Sequence, residues 1–447
     1  MARQLIAEFR ARAGEYVEQK RFDLEHVSRR VAELEKEYGV HFDPSSPLPD
    51  ESLGKAVFEA GFTLAVEAGL YIVDESRVAK FSEEELREAL KSARNRIVVG
   101  RGRDARKLGY REPGDRVFVF GGLAGTPTPL EFFVESAASY ALVLRVDGID
   151  HGSVQTVMGE MVRSGAPSEV LAGLREMESL RSALRMAGRP GMHVLGAESS
   201  VGSVGSLGAM SLGLLRRGDA QLLPVLNELK TDYHQLVKAY VGSLRGVLGA
   251  ALVDPVVGGF ARGPAGSAIV SVAEILLAMV AYDASYFLVH PVHIVKKATS
   301  TIECMWVESV VGLANRYMRL PLVGDVWPAN GGGTREYLYE VAANTLVAVV
   351  SGLNLLGPVP ENGTQPNGGG VDAMFMAGLA DRMVEENVGF NRAWGFAVEL
   401  YKRYEARIVS PDPGKPFWEL YDAKKIAPRK EWLETINETI REIAQYI

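Results

Sequence analysis

From about residue 116 onward, short apolar runs alternate with longer segments of helical spacing. The runs cover residues 117–121, 148–154, 191–195, 222–226, 250–257, 286–294, 322–326 and 353–359, and they often end in Gly, Asn, Asp or Glu. Between them, residues 168–186, 232–244, 268–282, 301–317 and 335–351 carry apolar positions three and four apart, the period of a helix with one buried face. Strands that alternate with helices imply βα units and a parallel sheet. About eight such units over roughly 250–330 residues predict an α/β chain of the (β/α)8 TIM-barrel class. The alternative is an open doubly wound sheet, but no G-x-G-x-x-G follows the first strand, which disfavours a dinucleotide fold.

Upstream, the first 95 residues read as helical, with residues 83–91 (EEELREALK) a surface helix that is acidic early and basic late. Gly100-Arg101-Gly102-Arg103-Asp104 marks a turn into the main body. The expected organisation is a helical extension over residues 1–100 packed on a barrel over residues 101–447, with further helices at the C-terminal end, all as one structural unit. The longest apolar stretch, residues 268–289, is broken by Glu274 and Asp283 and predicts a buried helix followed by a strand, not a membrane span.

Composition narrows the partners. With 47% hydrophobic and 23% charged residues, the 447-residue chain has enough apolar material for a large core. A formal net charge of −7 argues against binding to nucleic acid, which needs a dense basic face. The single cysteine, Cys304, excludes an internal disulfide and fits a reducing compartment; it lies in an apolar helical stretch and reads as packed. The N-terminus, MARQLIAEFRARAGEY, is charged and helical in period, unlike a signal peptide, so a cytoplasmic location is expected.

A (β/α)8 barrel places its chemistry at the C-terminal ends of the strands. Those ends offer Gln155, Glu198, Asn227, Glu228, Asp254, His290, His293, Asp325, Trp327, Asn330, Glu361 and Asn362. Glu228 reads either as a carboxylate aimed into the barrel mouth or as one that offsets a helix dipole. His290 and His293 are three apart, so on a strand they face opposite ways, and of the two His293 is taken as the inward acid–base group. Asp325 and Trp327 are two apart and share a face, which makes a carboxylate beside an indole: a receptor for an organic cation, or a rim tryptophan packed against a loop. Residues 367–370 (NGGG) read as a flexible loop after the last strand, with a lid or phosphate cradle as the alternative. Leu195, at the end of the third strand, has no chemistry to offer.

Several of these residues carry a family resemblance. Phe58-Glu59-Ala60-Gly61-Phe62, Gly102-Arg103-Asp104-Ala105, residues 186–192 (MAGRPGM), Leu226-Asn227-Glu228-Leu229-Lys230, Gly258-Gly259 and Pro291-Val292-His293-Ile294 follow the order seen in another group of proteins. The chain resembles the monomethylamine:corrinoid methyltransferases of methanogenic archaea over most of its length. The resemblance implies a (β/α)8 barrel that assembles as a homo-oligomer, a hexamer. It implies transfer of a methyl group from methylamine to the cobalt of a separate corrinoid protein, with no cofactor held tightly by the barrel itself. The hallmark of that family is pyrrolysine, and the local match places that residue at Leu195. The family's glutamate, glutamine and tyrosine then fall at Leu252, Asp325 and Trp327.

The expected function is a pyrrolysine-lacking methyltransferase that uses an already activated methyl donor, a quaternary ammonium, with a corrinoid protein as partner and no membrane or nucleic acid. Glu228, His293 and Asp325 are its catalytic candidates; Leu195, Leu252, Trp327, Gln155 and Glu198 are its substrate-binding candidates; no metal ligand is assigned. Two alternatives stand beside it. One is a non-catalytic barrel that acts as a scaffold, its mouth blocked by Leu195, Leu252 and Trp327. The other is a metal-dependent barrel enzyme that uses His293, Asp254, Asp325 and Glu228.

Overall fold

The computed structural model describes residues 2–199 and 202–444. Its centre is a closed barrel of eight parallel strands: β1 (Val119–Gly122), β2 (Gly148–Asp150), β3 (His193–Val194), β4 (Ala220–Val225), β5 (Leu248–Val253), β6 (Tyr286–Val289), β7 (Leu322–Asp325) and β8 (Asn354–Leu356). All eight apolar runs identified in the sequence contribute a strand. The ladder runs from β1 round to β8 and back to β1, so the open doubly wound alternative is ruled out. Leu195 completes the ring. Its N–H donates to the Ile149 carbonyl at 3.0 Å, it bridges to Ala220, and the next N–H, of Gly196, donates to the Ala220 carbonyl at 3.0 Å. The backbone of one residue thus joins β2, β3 and β4.

Eight helices surround the strands: α1 (Leu130–Ala141), α2 (Pro167–Met186), α3 (Val204–Ser211), α4 (Tyr233–Arg245), α5 (Pro264–Tyr282), α6 (Ile302–Met318), α7 (Arg335–Val350) and α8 (Gly370–Glu385). Alternation along the strands makes two apolar cores. Outward residues such as Val119, Ile149, Val194, Leu223 and Val253 pack on the helices. Inward residues such as Phe120, Leu195, Ala220, Ala250, Tyr286, Leu288, Val323 and Leu356 pack on one another inside the barrel. Helix α5 is long and apolar enough to cross a membrane by composition, yet it is buried throughout, so its apolar surface serves the core.

The N-terminal end of the barrel is plugged. A hairpin of Arg96–Val99 and Arg106–Gly109 inserts Ile97, Val99 and Leu108 into the interior cluster. With that end stoppered, strand-borne side chains reach solvent at the opposite mouth. Residues 1–95 are not helical throughout: Leu70–Ile72 and Arg77–Ala79 form a hairpin, and Leu70–Ile72 also pairs in parallel with Lys230–Thr231 beyond β4.

Helix Leu53–Ala68 packs on α5 and α6. Gly61 permits that approach: a Cβ there would lie 2.5 Å from Val272 Cβ. Gly61→Ala is therefore expected to destabilise the protein by about 1–3 kcal/mol through overpacking, despite alanine's better helix propensity. Urea unfolding of the variant checks the sign.

Residues 367–370 are buried, which corrects the expectation of a flexible loop. A Cβ on Gly370 would lie 2.0 Å from the Ser139 carbonyl, and one on Gly369 would lie 2.4 Å from the Tyr421 ring. These glycines allow close packing at the start of α8.

Candidate functional site at the barrel mouth

The inward alternation of β5, β6 and β7 carries Leu252, His290, Asp325 and Trp327 to the C-terminal mouth. His290 Nδ1–H donates to Asp325 Oδ2 at 2.9 Å. The His290 ring meets the Trp327 indole edge-on, with centroids 4.8 Å apart and planes at 89°. Asp325 is 3% exposed, and its Oδ1 has no hydrogen-bond partner. Burial raises the Asp325 carboxyl above its usual range, and the His290 hydrogen bond opposes the shift.

Trp327 is held from behind. Its backbone N–H donates to Thr299 Oγ1 at 2.9 Å, and its carbonyl accepts the Thr299 N–H at 3.1 Å. The turn at Glu361–Gly363 closes over the ring, where a Cβ on Gly363 (φ +66°) would lie 2.5 Å from the indole. Leu195 is fully buried beneath this layer. Leu222, Leu252 and Trp327 face the same interior and are half-buried.

Next to this pair lies a group of acids, Asp254 half-buried and Glu228 and Glu274 buried. Asp254 follows Leu252 by one strand repeat; its Oδ1 has no partner, and its carbonyl accepts from Asn227 Nδ2. Burial pushes the Asp254 carboxyl up to about 7; His290 pulls it down and Glu228 pushes it up. Glu228 is 1% exposed and accepts the Val256 N–H at 3.2 Å through one oxygen, while the other has no partner. Its carboxyl is also raised by burial. Glu274, from α5, accepts the Leu229 N–H at 3.2 Å and is raised well above its ordinary value by burial, then by Asp254 and Glu228.

A second group borders the mouth from β2 and α2. Asp150, at the end of β2, accepts His151 Nδ1–H at 2.7 Å. Burial alone would lower the His151 imidazole, but the Asp150 carboxylate outweighs it and raises it to about 9. Glu176 reaches up from α2 to accept the Ala197 N–H at 2.7 Å and the Ser199 hydroxyl at 2.6 Å, and burial pushes its carboxyl up to about 7. Glu198 forms a buried ion pair with Lys238 at 3.0 Å.

The positions expected from sequence therefore separate. Asp325, Trp327, Leu195 and Leu252 meet at the mouth. Glu228 and Glu198 are buried beside it, Glu198 with its charge already paired. Gln155 is exposed, and its Nε2 donates to Ser153 Oγ at 2.6 Å. The inward imidazole is His290, not His293. Strand β6 stops at Val289, and Val292–His293 pairs instead with Val256–Val257 in a small separate sheet. His293 Nδ1 accepts the N–H groups of Val295 and Lys296 at 3.1 and 3.2 Å, and burial lowers its imidazole. Among the described residues, no group of three or more His, Cys, Asp or Glu side chains is arranged to hold a metal ion. Asp150, His151, Glu176 and Glu274 were not anticipated. Asp150 left a usable signal, an acid two residues beyond Gly148 on the same strand face, and so did Glu274, a charge inside an apolar run that reads as a buried helix.

A family model described as monomethylamine methyltransferase MtmB matches residues 6–447. The chain belongs to the MtmB family. It is 30% identical over 439 residues to monomethylamine methyltransferase MtmB1 of Methanosarcina barkeri, covering 96% of this chain and 94% of the relative. It is 31% identical over 436 residues to MtmB2 of Methanosarcina acetivorans, covering 95% and 93%. The crystal structure of the M. barkeri MtmB superposes with a TM-score of 0.93 at 29% identity, over 98% of this chain and 97% of that one. A crystal structure of a hydroxylamine complex of MtmB matches equally well. The (β/α)8 barrel is thus shared with the MtmB crystal structure, and the relatives are named monomethylamine methyltransferases.

Proposed function

We propose that this MtmB-family barrel transfers a methyl group from a quaternary ammonium donor to the Co(I) centre of a separate corrinoid protein. Leu195 stands where the family's pyrrolysine belongs, and an isobutyl group forms no adduct with an amine. The donor must then arrive already activated. A quaternary nitrogen meets that need: the C–N bond breaks, nitrogen keeps the electron pair and leaves as a neutral tertiary amine, and the cobalt supplies both electrons of the new Co–CH3 bond. No proton is required at any stage. In this chemistry the corrinoid is a substrate carried by the partner.

The observation that carries this reading is the inward Asp325, with one free carboxylate oxygen, beside the Trp327 indole and above the apolar Leu195 and Leu252. A carboxylate supplies charge, an indole supplies cation–π attraction, and leucines accept methyl groups. The test mixes the protein with a reduced cognate corrinoid protein and tetramethylammonium, trimethylamine, dimethylamine or monomethylamine. Methyl–cobalt absorbance is expected with the quaternary donor alone. Methylation by monomethylamine, or by none of the four, would sink the proposal.

The buried acids give this reading a pH signature. The donor does not titrate, so any pH dependence of its binding belongs to the protein. Asp254, raised to about 7, and Asp325, also raised, are anionic only above their shifted values. KM for the quaternary donor is expected to fall as pH rises through about 7 and then level off. In Asp254→Asn that inflection should move or vanish; steady-state kinetics between about pH 6 and about pH 8.5, roughly one to two units either side, resolves it.

A further inference from the structure

The turn Gly100–Asp104, conspicuous in the sequence, plays no part at the mouth. It lies at the opposite, N-terminal rim, where three segments are tied together. Gly100 N–H donates to the Gly218 carbonyl at 2.8 Å, and Arg101 N–H donates to the Gly191 carbonyl at 2.7 Å. Gly191 N–H donates to Asp104 Oδ2 at 2.9 Å. The contact needs glycine: at Gly218 (φ +89°) a Cβ would lie 2.8 Å from the Gly100 carbonyl oxygen.

This collar borders a cavity of about 800 Å3 between the plugging hairpin and the starts of β5 and β6. That size suits a ligand larger than a simple ion. Four arginines face it, Arg3, Arg94, Arg101 and Arg217, against one acid, Asp283, which is already paired with Arg3 at 3.0 Å. Arg94, Arg101 and Arg217 are exposed and have no carboxylate within ion-pair distance among the described residues. Arg101 is held in place by its Nε–H, which donates to the Arg217 carbonyl at 2.6 Å. Ile97, Val98, Leu248, Phe287 and Leu320 also line the cavity; Ile97, Phe287 and Leu320 are buried in the core, and the apolar surface left open to a ligand is that of Val98, 61% exposed, and the half-buried Leu248.

We infer that this cavity is a binding site for a nucleoside polyphosphate, with the phosphates on Arg94, Arg101 and Arg217 and the base against Val98 and Leu248. Guanidinium groups pair bidentately with phosphate oxygens, and the open apolar surface of Val98 and Leu248 gains from covering by a flat ring. The site lies at the other end of the barrel from the mouth and is independent of the methyl donor.

Isothermal titration of the full chain with ATP, inorganic pyrophosphate and adenosine tests this at two salt concentrations. ATP is expected to bind more tightly than either fragment, and more weakly at higher salt. The double variant R94A/R217A should lose at least about tenfold in ATP affinity while keeping the wild-type melting temperature and sedimentation coefficient, since both side chains are exposed and unpaired. Absence of ATP binding to the wild type would overturn the proposal. So would equal affinity for ATP and pyrophosphate, unchanged affinity in the double variant, or a variant that alters only the oligomeric state.

Discussion

Asp325→Asn is expected to raise KM for a quaternary ammonium donor by about 100-fold while leaving kcat unchanged or slightly higher. Asparagine has nearly the same shape, and His290 Nδ1–H can still donate to its oxygen, so the 2.9 Å contact and the position of Trp327 survive. What disappears is the negative charge. Removing one ionic partner from a desolvated site costs about 2–5 kcal/mol of binding, and about 2.7 kcal/mol is about 100-fold. The effect falls on KM because the donor's positive charge is largest before reaction and fades as the amine departs neutral. A carboxylate beside it thus stabilises the bound donor more than the transition state. Stability should change little, because a buried carboxyl with a raised pKa already bears much of its desolvation cost. Trp327→Leu should give a smaller rise in KM, about tenfold, as fits a cation–π contact in a sheltered site. Steady-state kinetics on both variants, with circular dichroism as a fold control, decides the matter. If D325N retains the wild-type KM, Asp325 does not contact the donor and the cationic substrate loses its chief support.

How far this site was visible beforehand depended on where strands stop. The barrel was legible because parallel strands buried on both faces need continuous apolar runs, and all eight were present. The ends were less so, because a single apolar run can serve two sheets. Residues 286–294 read as one strand, but Pro291 interrupts the ladder, and Val292–His293 crosses to Val256–Val257. His290 shares the inward face with Tyr286 and Leu288, whereas His293 falls beyond the break, in the second sheet. Residues 148–154 likewise read as one strand, whereas β2 ends at Asp150 and Ser153 bridges instead to Pro127. The overrun moved attention to Gln155 and hid Asp150 and His151. Glu176 had no such signal, whereas Glu274 had one in interrupting an apolar run that reads as a buried helix. A glutamate on an amphipathic helix reads as a surface residue until the helix is packed, and Glu176 becomes buried only because α2 presses that face on the barrel. The hairpin of residues 70–79 was missed for a different reason: a three-residue strand is too short for its period to stand out from the helices around it.

The largest loss of stability from a single polar side chain is expected at Glu340, which joins the fold to the site. Glu340 lies on α7, is fully buried, and projects into the turn that follows β7. Its carboxylate accepts the N–H groups of Ala329 at 2.7 Å and Asn330 at 2.9 Å, the Asn330 side-chain amide at 2.6 Å, and the Ser300 hydroxyl. Burial raises its carboxyl, and these four donors oppose the shift. Glu340→Leu fits the volume but strands the backbone donors of Ala329 and Asn330 without water. Each orphaned buried donor costs about 1–3 kcal/mol, offset in part by no longer burying a charge, so a net loss of about 3–5 kcal/mol is expected in urea or guanidinium unfolding. Glu340→Gln should lose less, because one acceptor oxygen remains, although its amide NH2 then faces donors. The same turn begins at Trp327, so the stability loss should come with a change in tryptophan fluorescence and a higher KM for the donor. A pair of variants in which E340L unfolds at the wild-type denaturant concentration would show that the turn stands without its acid. The position of Trp327 would then rest on Thr299 and the Glu361–Gly363 turn alone.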